Sequence, residues 1–192
     1  MGSPWADKQL NTRTSYTGTA KTVHWFMAIL WIAIWVIGFV AVHWREVYNQ
    51  HFQLTFLHKA LASTILILTV LRVLWRWGHP APAMPDTMSA FMQRAAHFGH
   101  LAIYVLALVA LPLSGWYWSS VADKAVVMLG LIHIPPLVAP APSLYTTAKG
   151  IHTLIAWCCG LMISGHILVA LKHHLVDKDT VLRQMLPHRR RP

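Results

Sequence analysis

Four runs of about twenty apolar residues constrain this chain more than anything else in it. A helix needs roughly 20 residues to cross the hydrocarbon of a bilayer. No water is present there to satisfy backbone N–H and C=O groups, so helices are favoured and irregular loops are excluded. The runs cover about residues 22–43, 56–77, 97–119 and 149–173. The expectation is an all-α fold, a transmembrane four-helix bundle. Composition agrees: 56% of the residues are hydrophobic, only 11% are charged and the mean hydropathy is +0.46, whereas a soluble domain carries about 25% charged residues.

A further apolar stretch, Ala125 to Ala141, contains Gly130, His133, Pro135, Pro136 and Pro140. Its prolines would leave backbone groups unsatisfied in lipid. It reads as an interfacial loop that lies on the membrane surface or caps the bundle. Cys158 and Cys159 are neighbours on one helix, point apart, and read as small buried hydrophobes rather than a disulfide. The polar first twenty residues are followed by a long apolar run without a small-residue cleavage site, the opposite of a signal peptide.

Sixteen Lys and Arg stand against six Asp and Glu, a net charge of +10. The basic residues gather at segment ends, which suits topology and anionic headgroups; no basic–aromatic stripe suggests nucleic acid. Twelve of them (Lys8, Arg13, Lys21, Arg72, Arg76, Arg94, Lys172, Lys178, Arg183 and Arg189 to Arg191) fall on one side of the four spans. Arg45, Lys59, Lys124 and Lys149 fall on the other. The positive-inside rule then makes residues 1–18 a polar cytoplasmic segment, 19–175 the four-span domain and 176–192 a basic cytoplasmic tail.

His24, His58, His152 and His166 sit inside or at the mouths of these spans, where an ionisable side chain is a functional candidate by default. Spans one and three ascend from the cytoplasm; two and four descend. His24 and His166 therefore share the cytoplasmic level, and His58 and His152 the outer one. His152 and His166 are 14 residues apart, about 21 Å and nearly four whole turns, so both project from nearly one helix face. Each pair offers two nitrogens from facing helices, as bundle cofactor sites do. A zinc site would want a third or fourth close ligand. Paired histidines at two depths, without carboxylates, point to two non-covalent haem groups with bis-histidine ligation, a set suited to one-electron transfer rather than oxygen binding.

Arg72 lies 14 residues after His58 and so reaches the lower level. Two readings stand: a charge-assisted partner for a haem propionate, or a side chain snorkelling to the cytoplasmic interface. His97 and His100 open span three on the same side and are alternatives to His24 as a ligand, or contacts for a propionate or quinone. His173 and His174, beyond span four, are expected to face headgroups or water.

Several pieces of the chain resemble the bacterial cytochrome b561 family, four-helix dihaem proteins of the inner membrane. They are Val23-His24-Trp25, Leu57-His58-Lys59, Ala96-His97-Phe98-Gly99-His100-Leu101, Leu111-Pro112-Leu113-Ser114-Gly115, Lys149-Gly150-Ile151-His152 and Gly165-His166. The tail carries Leu171-Lys172-His173-His174, Lys178-Asp179 and Leu182-Arg183-Gln184-Met185-Leu186-Pro187. The resemblance implies that His24 and His166 ligate one haem b and His58 and His152 the other, and that Lys149 lies beside the outer haem. It also implies a bacterial inner-membrane location, ubiquinone as electron acceptor and superoxide:ubiquinone oxidoreductase-like activity. The N-terminal extension and the Pro-rich outer loop depart from the family pattern.

The leading functional expectation is therefore an electron-transfer protein between a periplasmic donor and ubiquinone. Superoxide, a small anion, suits an outer face bearing Arg45, Lys59, Lys124 and Lys149 against Glu46 and Asp123. The alternative is the cytochrome b membrane-anchor subunit of a larger respiratory redox complex. A haem-free transporter is disfavoured because no span carries a central Asp or Glu.

Overall fold

The computed structural model describes residues 15–84 and 88–186. Residues 1–14, 85–87 and 187–192 lie outside the described residues, and with them Lys8, Arg13 and Arg189 to Arg191 of the charge count. Four helical segments are long and apolar enough to cross a membrane: Gly18–His43, Gln53–Gly78, Ala90–Val121 and Pro142–Leu175. The shortest have 26 residues, about 39 Å at 1.5 Å per residue, against a hydrocarbon core of about 30 Å.

Helix α1 (Gly18–His43) starts where the Thr17 hydroxyl accepts the Ala20 N–H at 3.2 Å, the usual cap for an otherwise unpaired first-turn donor. A single turn, α2 (Arg45–Tyr48), leads into α3 (Gln53–Gly78). The third crossing starts at Ala90, earlier than residue 97, because Ser89 caps α4 (Ala90–Ala102) by accepting the Met92 N–H at 3.3 Å. Its added turns carry Gln93 and Arg94 and so escape a reading by hydropathy. The helix then widens to π geometry over Ile103–Ala110 and resumes as α5 (Leu111–Val121). Pro112 accounts for the widening: it has no N–H for the Leu108 carbonyl, and its ring would collide with it in a regular helix. Trp31 satisfies a carbonyl of the widened stretch, donating its indole N–H to Ala107 at 3.1 Å. The fourth crossing is a short 3-10 turn followed by α6 (Tyr145–Leu175).

Helix α1 packs along α3, and α5 along α6. Met27, Trp31, Ile34, Ile65, Ala107, Leu108 and Cys159 form one buried cluster drawn from all four crossings. Large apolar side chains such as Phe26, Val70, Leu154, Leu161 and Leu168 point outward, as they must where lipid rather than water is the solvent.

The segment after α5 does not cross the membrane. It forms a two-stranded antiparallel ribbon, β1 (Val126–Met128) with β2 (Ile132–Ile134), pairing Val126 with Ile134 and Met128 with Ile132. Pairing the strands satisfies backbone groups that a run broken by Gly130 and three prolines could not satisfy as a helix. The ribbon is stitched to the bundle by Lys59 Nζ donating to the Ala125 carbonyl at 2.6 Å, Leu129 N–H to Ala60 at 3.2 Å and Trp116 Nε1 to Pro135 at 3.0 Å. The bundle thus has a ribbon end and a terminal end.

Asn49 joins α1 to α3 at the ribbon end and is only 1% exposed. Its amide donates to the Ala41 carbonyl at 3.0 Å and Thr55 Oγ1 at 2.8 Å, while its carbonyl accepts the N–H groups of Leu54 and Thr55 at 2.9 and 3.3 Å. Asn49→Leu strands these partners, each at a cost of about 1–3 kcal/mol. A lower melting temperature in detergent is the expected result; an unchanged one contradicts this role.

Candidate functional site

At the ribbon end, α3 presents His58 and α6 presents His152 across the bundle, with ring centroids 6.3 Å apart and planes at 83°. His58 Nδ1 lies 2.9 Å from the Ile34 carbonyl of α1. A carbonyl only accepts, so the proton sits on Nδ1 and the lone pair on Nε2. Ser114 Oγ donates to the Leu111 carbonyl at 2.7 Å and is left to accept from His152 Nδ1 at 2.9 Å. His152 therefore has the same tautomer. A metal-bound histidine characteristically gives its second N–H to such a partner, which fixes ring and tautomer together.

The spacing also suits a shared metal. Two metal–imidazole bonds of about 2 Å each, plus the reach from each nitrogen to its ring centre, come to about 6 Å.

Two glycines make room for these rings. A Cβ on Gly38 would fall 2.7 Å from His58 Cε1 and 2.8 Å from Nδ1. A Cβ on Gly115 would fall 3.0 Å from His152 Cε1. The rings lie against a cavity of about 830 Å³ walled by α1, α3, α5 and α6, within the roughly 300–1,000 Å³ typical of cofactor-sized sites. Arg45, Lys59, Lys124 and Lys149 all line it, whereas neither Glu46 nor Asp123 does. Trp118, 5.8 Å from His152 ring to ring, also lines it, with its buried indole N–H lacking a hydrogen-bond partner. An unsatisfied donor and four cations around two lone-pair nitrogens fit a planar metal cofactor with acidic side chains.

The terminal end is built differently. His24 of α1 lies within electrostatic reach of both His166 of α6 and His100 of α4. The His100 and His166 rings are 5.4 Å apart. His100 Nδ1 is 2.7 Å from the Ala96 carbonyl, which again leaves the lone pair on Nε2. Arg72 does not snorkel. Its Nε donates to Tyr104 Oη at 2.6 Å, Nη1 faces Met27 Sδ at 4.0 Å and Nη2 lies 3.2 Å from His24 Nδ1. A guanidinium only donates, so this contact places the His24 proton on Nε2. Ligation through Nε2 would require Arg72 to release His24 for another acceptor.

His173 is 4% exposed, contrary to the expectation that it faces headgroups or water. The chain folds back over it and supplies a carboxylate, Asp179 Oδ2, at 2.6 Å from Nδ1.

Ser114, Gly38 and Tyr104 have no role assigned from the sequence. Ser114 and Gly115 stand in the Leu111-to-Gly115 motif, and Gly38 interrupts an apolar run, where a glycine signals close approach. Nothing in the sequence marks Tyr104.

Residues 15–188 match the family model described as prokaryotic cytochrome b561. Cytochrome b561 homolog 2 of Escherichia coli (strain K12) is 31% identical over 176 residues, covering 92% of this chain and 93% of that protein. A probable superoxide oxidase, CybB, of Yersinia pestis is 30% identical, covering 88% of this chain and 93% of the relative. Cytochrome b561 homolog 1 of Escherichia coli (strain K12) is 26% identical, covering 91% and 98%. Family membership implies haem b, which agrees with four crossing helices and with the His58 and His152 imidazoles presented as a facing pair. The chain belongs to the prokaryotic cytochrome b561 family and is a multi-pass membrane cytochrome b of electron transfer.

Proposed function

We propose that this protein holds two haem b groups, one between His58 and His152 and one between His24 and His166, and carries electrons from superoxide to ubiquinone. It would lie in the bacterial inner membrane with both termini cytoplasmic and the ribbon end outward. The observation that carries this reading is the ribbon-end cavity: two imidazoles with lone pairs on Nε2, ringed by four basic side chains. When bound, haem b would supply a one-electron Fe(III)/Fe(II) couple, with His58 and His152, and His24 and His166, as the residues that would hold it.

The chain's own residues do the rest. Ile34 and Ser114 hold the two rings in one tautomer, while Gly38 and Gly115 leave them space. Arg45, Lys59, Lys124 and Lys149 raise the local concentration of a small anion. Two superoxide anions each lose one electron and leave as oxygen; one ubiquinone takes up both electrons and two protons to become the quinol. Stopped-flow mixing of the oxidised protein with superoxide tests the donor, and a spectrum that stays oxidised rules it out. The double charge reversal Lys124→Glu, Lys149→Glu is expected to slow this reduction about 10-fold or more at low salt, with a smaller effect at high salt.

Arg72 has a double part at the terminal end. In this structure it occupies His24 Nδ1, and a haem propionate is the acceptor that would draw it away. Arg72→Leu is expected to weaken the inner haem about 10–100-fold and leave the outer one unchanged. A full, unshifted inner spectrum would contradict the propionate role.

One second reading has support: His100 in place of His24 as partner of His166, favoured by the 5.4 Å ring separation and the His100 tautomer. Under it, His100→Ala removes the inner haem and His24→Ala does not.

A further inference from the structure

The chain beyond α6 turns back across the terminal end of the bundle. Asp179 N–H donates to the His173 carbonyl at 3.1 Å after a turn in which Lys178 takes a φ of 53°. Asp179 then works in two directions. Its Oδ2 accepts from His173 Nδ1 at 2.6 Å, and its Oδ1 caps the next turn by accepting the Val181 N–H at 3.0 Å.

That turn delivers two backbone carbonyls to α1. Met185 accepts the Trp25 indole N–H at 2.9 Å, and Leu186 accepts Lys21 Nζ at 2.9 Å. Lys21 and Trp25 are one turn apart, and His24 lies between them. The Trp25 ring also meets the His24 ring edge to face at 5.3 Å.

The placement matters because α1 and α6 belong to different helix pairs, α1 packing on α3 and α6 on α5. Nearer the ribbon end they are tied by Trp35, which donates to the Ala156 carbonyl at 3.0 Å. At the terminal end the returning segment ties them. His173, Asp177 and Asp179 also have ligand-like spacing. However, Lys172 Nζ holds Asp177 at 2.8 Å and both carboxylates already face His173 Nδ1. These contacts tie the group together, and it reads as a clasp.

We propose that residues 176–186 are a positioning strap for the inner haem site. Asp179, through His173, fixes the strap to α6. Trp25 and Lys21 fix it to α1. The strap thereby sets the separation and rotation of the two helices that bear His24 and His166. Asp179 and Trp25 are positioning residues: neither is asked to touch the iron. The inference rests on the His24–His166 assignment made above.

The test uses the purified full-length protein with haem bound and compares Asp179→Asn with Trp25→Phe. Trp25→Phe keeps the aromatic contact with His24 and removes only the N–H given to Met185. Redox titration of each haem, with low-spin ferric EPR as a reporter of imidazole orientation, is the readout. Both variants are expected to shift the potential and EPR signal of the inner haem, and to lower its occupancy about 10-fold at limiting haem, with the outer signals unmoved. Inner signals that stay put in both variants, or outer signals that move equally, overturn the strap. The two levels of failure are separable: if either His24→Ala or His166→Ala retains the inner haem, the ligand assignment has failed. If both lose it while the strap variants are silent, only the strap has failed.

Discussion

Alanine at His58 or His152 is expected to abolish one haem spectrum and leave the other intact. In the proposed site each residue would supply one of the two nitrogens that hold a non-covalent haem. His43 and His51 also line the cavity, so each variant is compared with one that also carries His43→Ala and His51→Ala; the lysines, the arginine and the indole N–H are poor donors to iron in their charged or donor-only forms. Haem-to-protein stoichiometry should fall to about half of the wild-type value in either variant, and the double variant should fall no further. His24→Ala and His166→Ala should remove the complementary signal. The measurement is a reduced-minus-oxidised spectrum with a haem extract, made on protein shown to be monodisperse in detergent. Retention of both signals in His58→Ala and in His152→Ala would falsify the outer assignment outright.

A single methyl group should do nearly as much at Gly38. The added Cβ would sit 2.7 Å from His58 Cε1, closer than packed atoms tolerate. His58 cannot simply slide away, since its Nδ1 is held by the Ile34 carbonyl one helical turn earlier on α1. Gly38→Ala must therefore break that bond or push α1 off α3. Either change tilts the imidazole, and loss of a partner that orients a metal-bound histidine costs about 10–100-fold in affinity. Gly115→Ala, with its nearest contact at 3.0 Å, is expected to follow in the same direction more mildly. Gly165 adjoins His166, yet a Cβ there meets nothing within 4 Å, so Gly165→Ala serves as the internal control with normal haem content. Equal effects at all three glycines would point to generic helix destabilisation or lipid packing and against the cradle.

Much of this architecture is legible residue by residue. The four crossings follow from runs long enough to span hydrocarbon and from the exclusion of unpaired backbone there. The ribbon segment is recognisable as a non-crossing because its prolines forbid a continuous helix. Its strands are not, since short apolar runs read equally as strand or helix and the pairing needs the wall of α3 to form against. The early start of the third crossing hides behind Gln93 and Arg94, which dilute hydropathy where a capped helix has already begun.

The histidine levels divide in the same way. A 14-residue spacing on one helix dictates a common face and two depths, and charge asymmetry distinguishes the two ends. What periodicity cannot supply is the second contact of each ring. Ser114 reaches His152 only because α5 packs on α6, and Ile34 reaches His58 only because α1 packs on α3. Arg72 lies at the depth its spacing demands, but its hold on His24 depends on Tyr104 arriving from the third crossing. The burial of His173 depends on a chain reversal whose far end, at Met185, meets Trp25 across 160 residues of sequence. Sequence alone determines the elements and the depth of each of the four histidines, because helix geometry and hydrocarbon solvation are local and periodic. Tertiary structure alone decides tautomer, clearance and partner, because those depend on side chains that meet across helices.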